Sequence, residues 1–205
     1  HPPTHLTRSM FLSIVTPPPL SLPQPGKPLW GTLIALLHRG TPILGIIDQP
    51  ITRERWVGAA GSPTTLNGAP ISVRPCPGGL GEAYLYATTP LMFGDPAGPT
   101  GRAWARVSGA AKVPLYGCDC YAYGLVAAGW ADAVVEADLG PYDFLALAPI
   151  ITGAGGVMSD WEGRALGAAW DAEKGHSVAD CPREVVAAGD PGVHGRILEL
   201  LQAEG

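Results

Sequence analysis

Two acidic residues in the second half of the chain stand where carboxylates can do chemistry. Asp143 lies in the first turn of a predicted helix over residues 141–151, in which residues 144–151 are apolar on every face. Glu136 ends an apolar run, residues 133–135, that predicts a strand. A strand end and a helix start joined by a short loop can meet in one pocket, so this pair favours metal-assisted or acid–base chemistry. Asp143 also fits a purely structural role, because negative charge stabilises a helix start.

A third feature is the short sequence Gly117-Cys118-Asp119. It lies between a predicted strand over 112–116 and a predicted helix over 119–130. Backbone N–H groups at such a junction can bind an anion. Asp119 equally fits an ordinary helix N-cap, and the sequence leaves both interpretations open.

Composition excludes several classes of function. The chain has 13 Lys and Arg against 18 Asp and Glu, a net charge of −5 and no basic cluster, so nucleic acid is not an expected partner. Apolar stretches such as residues 29–37 are too short to span a bilayer, and no membrane association is expected. The sequence contains no P-loop, dinucleotide-binding, zincin or serine-hydrolase motif. The five histidines are scattered, and each is expected on the surface or in a loop.

The four cysteines fit neither a zinc spacing nor a disulfide framework, which indicates a reducing compartment. The predicted location is the cytoplasm, with an organelle stroma as the alternative for a eukaryotic source.

The predicted elements divide the chain into three parts. Residues 1–28 hold eight of the 22 prolines and predict a disordered arm. Residues 29–80 alternate short strands and turns, including the hairpin signal Asn67-Gly68, and predict an antiparallel sheet module. Residues 81–205 alternate strands and helices and predict an α/β module that ends in a helix over 193–202.

The motifs together resemble the C-terminal half of the inositol monophosphatase family of Mg²⁺-dependent phosphatases. The matching segments come in the order and spacing of that family: Gly117-Cys118-Asp119, Glu136, Pro141-Tyr142-Asp143, Gly153-Ala154-Gly155-Gly156 and Ser159-Asp160-Trp161-Glu162-Gly163. The resemblance covers roughly residues 28–202, and it is greatest to the histidinol-phosphate phosphatase branch, which acts in histidine biosynthesis.

The resemblance implies a layered α-β-α-β-α fold in which acidic residues hold Mg²⁺ and a small phosphate monoester. Asp143 matches a metal ligand of the family, and Gly117, Asp119 and Glu136 match substrate-binding positions. Carboxylate oxygens are ligands that Mg²⁺ prefers. An acidic group at Asp119 would suit a substrate that carries an amine and an imidazole.

One departure from the family affects the expected activity. The family has a Gly-Glu-Glu motif and an Asp-Pro-hydrophobic-Asp-Gly-Thr motif upstream of the strand that matches residues 29–37. Here the first acidic residue is Asp48, so residues 1–47 supply no side-chain carboxylate. We therefore expect an N-terminally truncated or mis-joined chain, no identifiable water-activating residue and weak Mg²⁺ binding by Asp143.

The predicted function is a Mg²⁺-dependent phosphate monoester hydrolase, with histidinol phosphate as the substrate. One alternative is hydrolysis of inositol monophosphate or of a nucleotide 3′-phosphate. The other is a non-catalytic truncated interaction protein. Because apolar strands such as residues 29–37 would be left exposed, a homodimer is expected.

Overall fold

Two β-sheets with packed helices make up the part of the chain that the computed structural model describes, residues 8–13, 29–38, 40–166 and 181–203. Antiparallel strands form the first sheet in chain order: β1 Arg8–Ser13, β2 Thr32–His38, β3 Thr41–Gln49, β4 Glu54–Ala59, β5 Thr65–Leu66 and β6 Ala69–Pro70. Between β5 and β6, Asn67 and Gly68 have φ of 50° and 84°, the left-handed geometry of a tight hairpin. The predicted hairpin is confirmed.

The second sheet is mixed, and its strands lie in the order β10-β11-β9-β7-β8. Their bounds are β7 Tyr84–Ala87, β8 Val113–Tyr116, β9 Ala133–Glu136, β10 Val157–Ser159 and β11 Val185–Ala188. β7 is parallel to both β8 and β9, whereas β11 is antiparallel to β9 and β10. The chain passes from β7 to one neighbour and then crosses to the other. Ligands of parallel sheets bind at the carboxyl ends of strands around such a reversal.

Helices cover the sheets in layers. Their bounds are α1 Pro99–Ala110, α2 Tyr121–Ala127, α3 Pro141–Phe144, α4 Leu147–Gly153 and α5 Pro191–Gln202. α2 and α4 lie in a core that also contains Trp56 of the first sheet and Val134 of the second. α1 and α5 pack on the other face of the second sheet around Leu85 and Val186. The predicted α/β fold is confirmed as sheet, helix, sheet and helix layers, and no described helix covers the outer face of the first sheet.

Two glycines let α4 approach the first sheet. Gly45 and Gly58 are paired across β3 and β4. A Cβ on Gly45 would come within 1.8 Å of the carbonyl oxygen of Ala146, and one on Gly58 within 2.4 Å of that of Pro149. The helix backbone therefore rests directly on the sheet, which fixes the position of the segment that follows α3.

The single helix predicted over residues 141–151 is wrong, because α3 and α4 are separated at Leu145 and Ala146. Pro149 has no N–H to donate to the carbonyl of Leu145, four residues earlier, so a continuous α-helix would lack a hydrogen bond there. The break leaves Asp143 in a separate short helix.

The prediction of a disordered arm is wrong at residues 8–13, which form β1 antiparallel to β2. The other residues of the predicted arm lie outside the described part of the chain. His194, expected on the surface or in a loop, is buried in α5 with its Nε2 2.9 Å from the Ser159 Oγ. Among the described residues, no helix has the length and apolar character needed to cross a membrane.

Candidate active site

The carboxyl ends of three neighbouring parallel strands are joined by hydrogen bonds. Thr88 follows β7, Gly117 follows β8 and Glu136 ends β9. The N–H of Gly117 donates to the Thr88 carbonyl oxygen at 3.0 Å. The N–H and hydroxyl of Thr88 donate to Glu136 Oε1 at 3.0 and 2.5 Å. This network brings two of the predicted substrate-binding residues to one edge of the sheet.

Glu136 is buried, and its second oxygen is held from the neighbouring helix. The Tyr123 hydroxyl, on α2, donates to Glu136 Oε2 at 2.7 Å. Burial raises the pKa of Glu136, as does the charge of Asp119, whereas the hydrogen bonds from Thr88 and Tyr123 lower it; the net result is a pKa of about 7. Glu136 can therefore exchange a proton near neutral pH. The pKa of Tyr123 is raised by burial and by the Glu136 carboxylate, so its hydroxyl stays protonated.

Asp119 lies in the loop between β8 and α2, in the left-handed conformation with φ of 49°. Its Oδ1 accepts a hydrogen bond from the Cys120 N–H at 2.9 Å. Because α2 begins at Tyr121 with Cys120 as its N-cap, Asp119 is not the ordinary N-cap that the sequence left open. Within the described residues, Asp119 Oδ2 has no hydrogen-bond partner. Burial raises the pKa of this half-buried carboxyl.

Asp143 is the third residue of α3, and its Oδ2 accepts a hydrogen bond from the Gly140 N–H at 2.8 Å. The structural role considered for Asp143 at the helix start is confirmed by this contact. Burial raises its pKa, and the charge of Asp119 adds to the increase. Since Asp119 affects both Glu136 and Asp143, the three carboxylates share one acidic region. Their assignments to substrate and metal stay predictions.

The described residues do not complete a magnesium site. No group of three His, Cys, Asp or Glu within them is arranged to hold a metal ion. Mg²⁺ requires an octahedral set of oxygen ligands. Asp143 already uses one oxygen for its helix, and Glu136 accepts three hydrogen bonds from protein donors. These carboxylates alone therefore do not fit the ion that the resemblance implies.

Thr88 and Tyr123 belong to the site, although the sequence motifs did not indicate them. Thr88 directly follows β7, and the carboxyl end of a parallel strand is a signal that could have identified it. Tyr123 lies in the core, with 1% of its surface exposed. Only the packing of α2 against β9 shows that its hydroxyl reaches Glu136.

Comparisons with known proteins agree with the fold and the motifs. The family model described as "Inositol monophosphatase family" matches residues 25–204. The chain is 53% identical over 177 residues to the "Bifunctional phosphatase IMPL2, chloroplastic" of Arabidopsis thaliana, covering 86% of this chain and 49% of the relative. It is 32% identical over 140 residues to the "Histidinol-phosphatase" of Chlorobaculum parvum, covering 68% and 52%. The chain spans about half the length of the curated relatives it matches.

Solved structures show the same architecture. An inositol monophosphatase from Zymomonas mobilis matches with a TM-score of 0.76 and 42% identity, over 87% of this chain and 64% of that one. An inositol monophosphatase from Anabaena, at 21% identity and a TM-score of 0.68 over 85% of this chain and 64% of that one, shares the fold. The matched family model, the relatives and the strand-end carboxylates agree, and the chain belongs to the inositol monophosphatase family.

Proposed function

We propose that this chain carries the substrate-binding residues of a phosphate monoester hydrolase and that its substrate is histidinol phosphate. The observation that carries the proposal is the acidic pair Asp119 and Glu136. Among the described residues, no Lys, Arg or His side chain forms an ion pair with either carboxylate. An ammonium or imidazolium group would donate charge-assisted hydrogen bonds to these carboxylates and balance their negative charge, whereas a polyol offers only neutral donors.

The relatives support this choice of substrate class. Proteins described as histidinol-phosphatases, from Chlorobaculum parvum and Mycobacterium tuberculosis, match the chain at 32% and 31% identity. In the proposal, Gly117, Asp119 and Glu136 bind the substrate. Asp143 contributes to Mg²⁺ binding only weakly, because its partner ligands are not among the described residues.

A second candidate is hydrolysis of inositol monophosphate, which the 42% identical inositol monophosphatase from Zymomonas mobilis favours. A third is a non-catalytic role in protein interaction. The incomplete metal ligand set of the described residues favours this third candidate.

We also propose a cellular compartment and an oligomeric state for this chain. The 53% identical relative is described as chloroplastic, which favours an organelle stroma over the cytoplasm for this chain. A homodimer is the proposed assembly.

Ligand binding tests the substrate independently of turnover. By calorimetry, we expect L-histidinol phosphate to bind at least about tenfold more tightly than inositol 1-phosphate, and Asp119→Asn to abolish the difference. Asp48→Asn is the matched control, since it removes one negative charge from an exposed pair with Arg55. Tighter binding of inositol 1-phosphate would select the second candidate.

Phosphate release tests catalysis. The purified chain is incubated with Mg²⁺ and, in turn, L-histidinol phosphate, inositol 1-phosphate and adenosine 3′-phosphate. Release that requires Mg²⁺ and is lost in Asp143→Asn would reject the non-catalytic candidate. Absence of binding and release with all three esters would reject the phosphatase proposal.

A further inference from the structure

We propose that Tyr123 and Thr88 are positioning residues that hold the buried Glu136 carboxylate beside Asp119. Held in this way, Glu136 gives the site its preference for a substrate with a cationic group. This inference rests on the proposed function, and it adds how the acidic region is built and how it responds to its ligand.

Several hydrogen bonds constrain the side chain of Glu136. Glu136 Oε1 accepts two hydrogen bonds from Thr88 after β7, and Oε2 accepts one from Tyr123 on α2. Donors from two different elements thus fix both oxygens of a residue that belongs to a third. Such a carboxylate keeps one orientation, which is what recognition of a specific ligand group requires.

The other buried carboxylates of the described residues are paired with arginine side chains. Asp132 receives two hydrogen bonds from Arg74, at 2.7 and 2.6 Å, and Asp160 pairs with Arg164 at 2.6 Å. Glu136 is as deeply buried, with 4% of its surface exposed, yet all its donors are neutral. A buried charge without a counter-ion is costly. Within the described part of the chain, two of these acids have a counter-ion and Glu136 has none, so we infer that the ligand supplies it.

The described surroundings of Glu136 are acidic. Among the described residues, the titratable groups that face Glu136 are Asp119 from the β8–α2 loop and Tyr123 and Cys120 from α2, and Asp143 on α3 acts on Tyr123. All are acids, so an ionised Glu136 is opposed by its neighbours, whereas a bound ammonium group would favour its ionised form. Near neutral pH, binding of the cation is therefore accompanied by transfer of the Glu136 proton to solvent.

The hydroxyl of Tyr123 affects the pH at which Glu136 releases its proton on cation binding. It donates to the ionised carboxylate and lowers the pKa of Glu136, so Tyr123→Phe must raise that pKa above its value of about 7. Loss of one charge-assisted hydrogen bond corresponds to a shift of about one pH unit. Cation binding in the variant should weaken at pH 7 and recover at higher pH.

The experiment measures two midpoints in the wild type and in Tyr123→Phe. One is the pH dependence of L-histidinol binding by calorimetry between pH 5.5 and 9, because L-histidinol carries the amine and the imidazole without the phosphate. The other is the titration of Glu136 in the unliganded protein, followed by the ¹³C resonance of its carboxyl group and assigned with Glu136→Gln. The titration of L-histidinol itself is common to both proteins and cancels in the comparison.

The matched control is Tyr121→Phe, which removes a hydroxyl from the same helix. That hydroxyl donates to Glu54 on β4 at 2.7 Å, away from Glu136. We expect both midpoints to move up by about one unit in Tyr123→Phe and to stay unchanged in Tyr121→Phe. Thr88→Val should act like Tyr123→Phe, and Thr88→Ser, which keeps a hydroxyl donor, should restore the wild-type midpoints.

The possible failures are distinguishable. If L-histidinol binds and neither midpoint moves in Tyr123→Phe, the positioning role is overturned while the proposed substrate class stands. If the Glu136 titration shifts as expected but L-histidinol binds at no pH, the proposed substrate class fails, and the specificity role fails with it.

Discussion

At the scale of single residues, the sequence predicted where a residue lies along a strand or helix. It did not predict which other side chains surround that residue. The apolar run before Glu136 predicted a strand end, and Pro141 predicted the helix start near Asp143; both are confirmed. The N-cap interpretation of Asp119 failed because its φ of 49° depends on how the loop closes against the sheet. The hydrogen bond between Tyr123 and Glu136 joins α2 to β9. Contacts between two elements produce no periodic pattern in the sequence, so this one could not be predicted from it.

The burial of Glu136 predicts a pH-dependent cost to stability. Its pKa of about 7 in the folded chain lies above the ordinary value of 4.5, so the folded state binds more protons than the unfolded state between those two values. The contribution of Glu136 to stability is therefore full below about pH 4.5 and is lost as the pH rises towards 7. Glu136→Gln removes this dependence. Relative to wild type, its free energy of unfolding should increase between pH 5 and pH 8, by at most about 3 kcal/mol.

Urea denaturation at the two pH values measures this difference. Every other titrating group is common to wild type and variant, so the comparison isolates residue 136. A difference between the two proteins that is the same at pH 5 and pH 8 would show that Glu136 has an ordinary pKa.

At the scale of elements, strands with alternating burial were the most predictable. The apolar run at residues 29–37 locates β2 within three residues of its observed bounds, Thr32–His38, whose side chains alternate between buried and half-exposed. β1 was missed because its strand character rests on pairing with β2. The break between α3 and α4 could have been predicted, since Pro149 cannot donate the hydrogen bond that a continuous helix needs.

Because α4 lies in direct contact with the first sheet, replacing Gly45 or Gly58 by alanine should lower the free energy of unfolding by an unusually large amount. Gly45→Ala would place a methyl group 1.8 Å from the Ala146 carbonyl oxygen, and Gly58→Ala one 2.4 Å from that of Pro149. Both atoms are backbone, so the helix itself must move, and we expect each variant to lose about 3 kcal/mol of stability. Chemical denaturation measures the loss.

Gly195→Ala is the matched control for these two variants. Gly195 lies within α5, and a Cβ there meets no atom within 4 Å. Alanine should therefore raise stability by about 0.5–1 kcal/mol through helix propensity. Equal effects at all three positions would refute the direct backbone contact between α4 and the sheet.

At the scale of the whole molecule, the fold class followed from the order of strands and helices, and the family from motifs in the second half of the chain, of which Gly117 and Glu136 meet at one sheet edge. The division of the chain near residue 80 stays a prediction. The magnesium ligand set could not be obtained from the residues in hand, because Asp143 is the one matched ligand among them. Magnesium binding by Asp143 stays a proposal, since no group of three His, Cys, Asp or Glu among the described residues is arranged to hold the ion.

The outer face of the first sheet offers an apolar surface for contact between two copies of the chain. Ile34, Ile46 and Val57 are paired across β2, β3 and β4 and form a half-exposed apolar row that no described helix covers. Pairing of this face between two copies would produce the expected homodimer, and each substitution would then act twice because of the two-fold symmetry. Ile46→Thr should weaken dimerisation by roughly tenfold or more in light scattering or sedimentation across a dilution series. Ile51→Thr, at a 58% exposed position in the β3–β4 turn, should leave it unchanged. A wild-type chain that is monomeric at every concentration would overturn the dimer, and equal weakening by both variants would exclude this face as its interface.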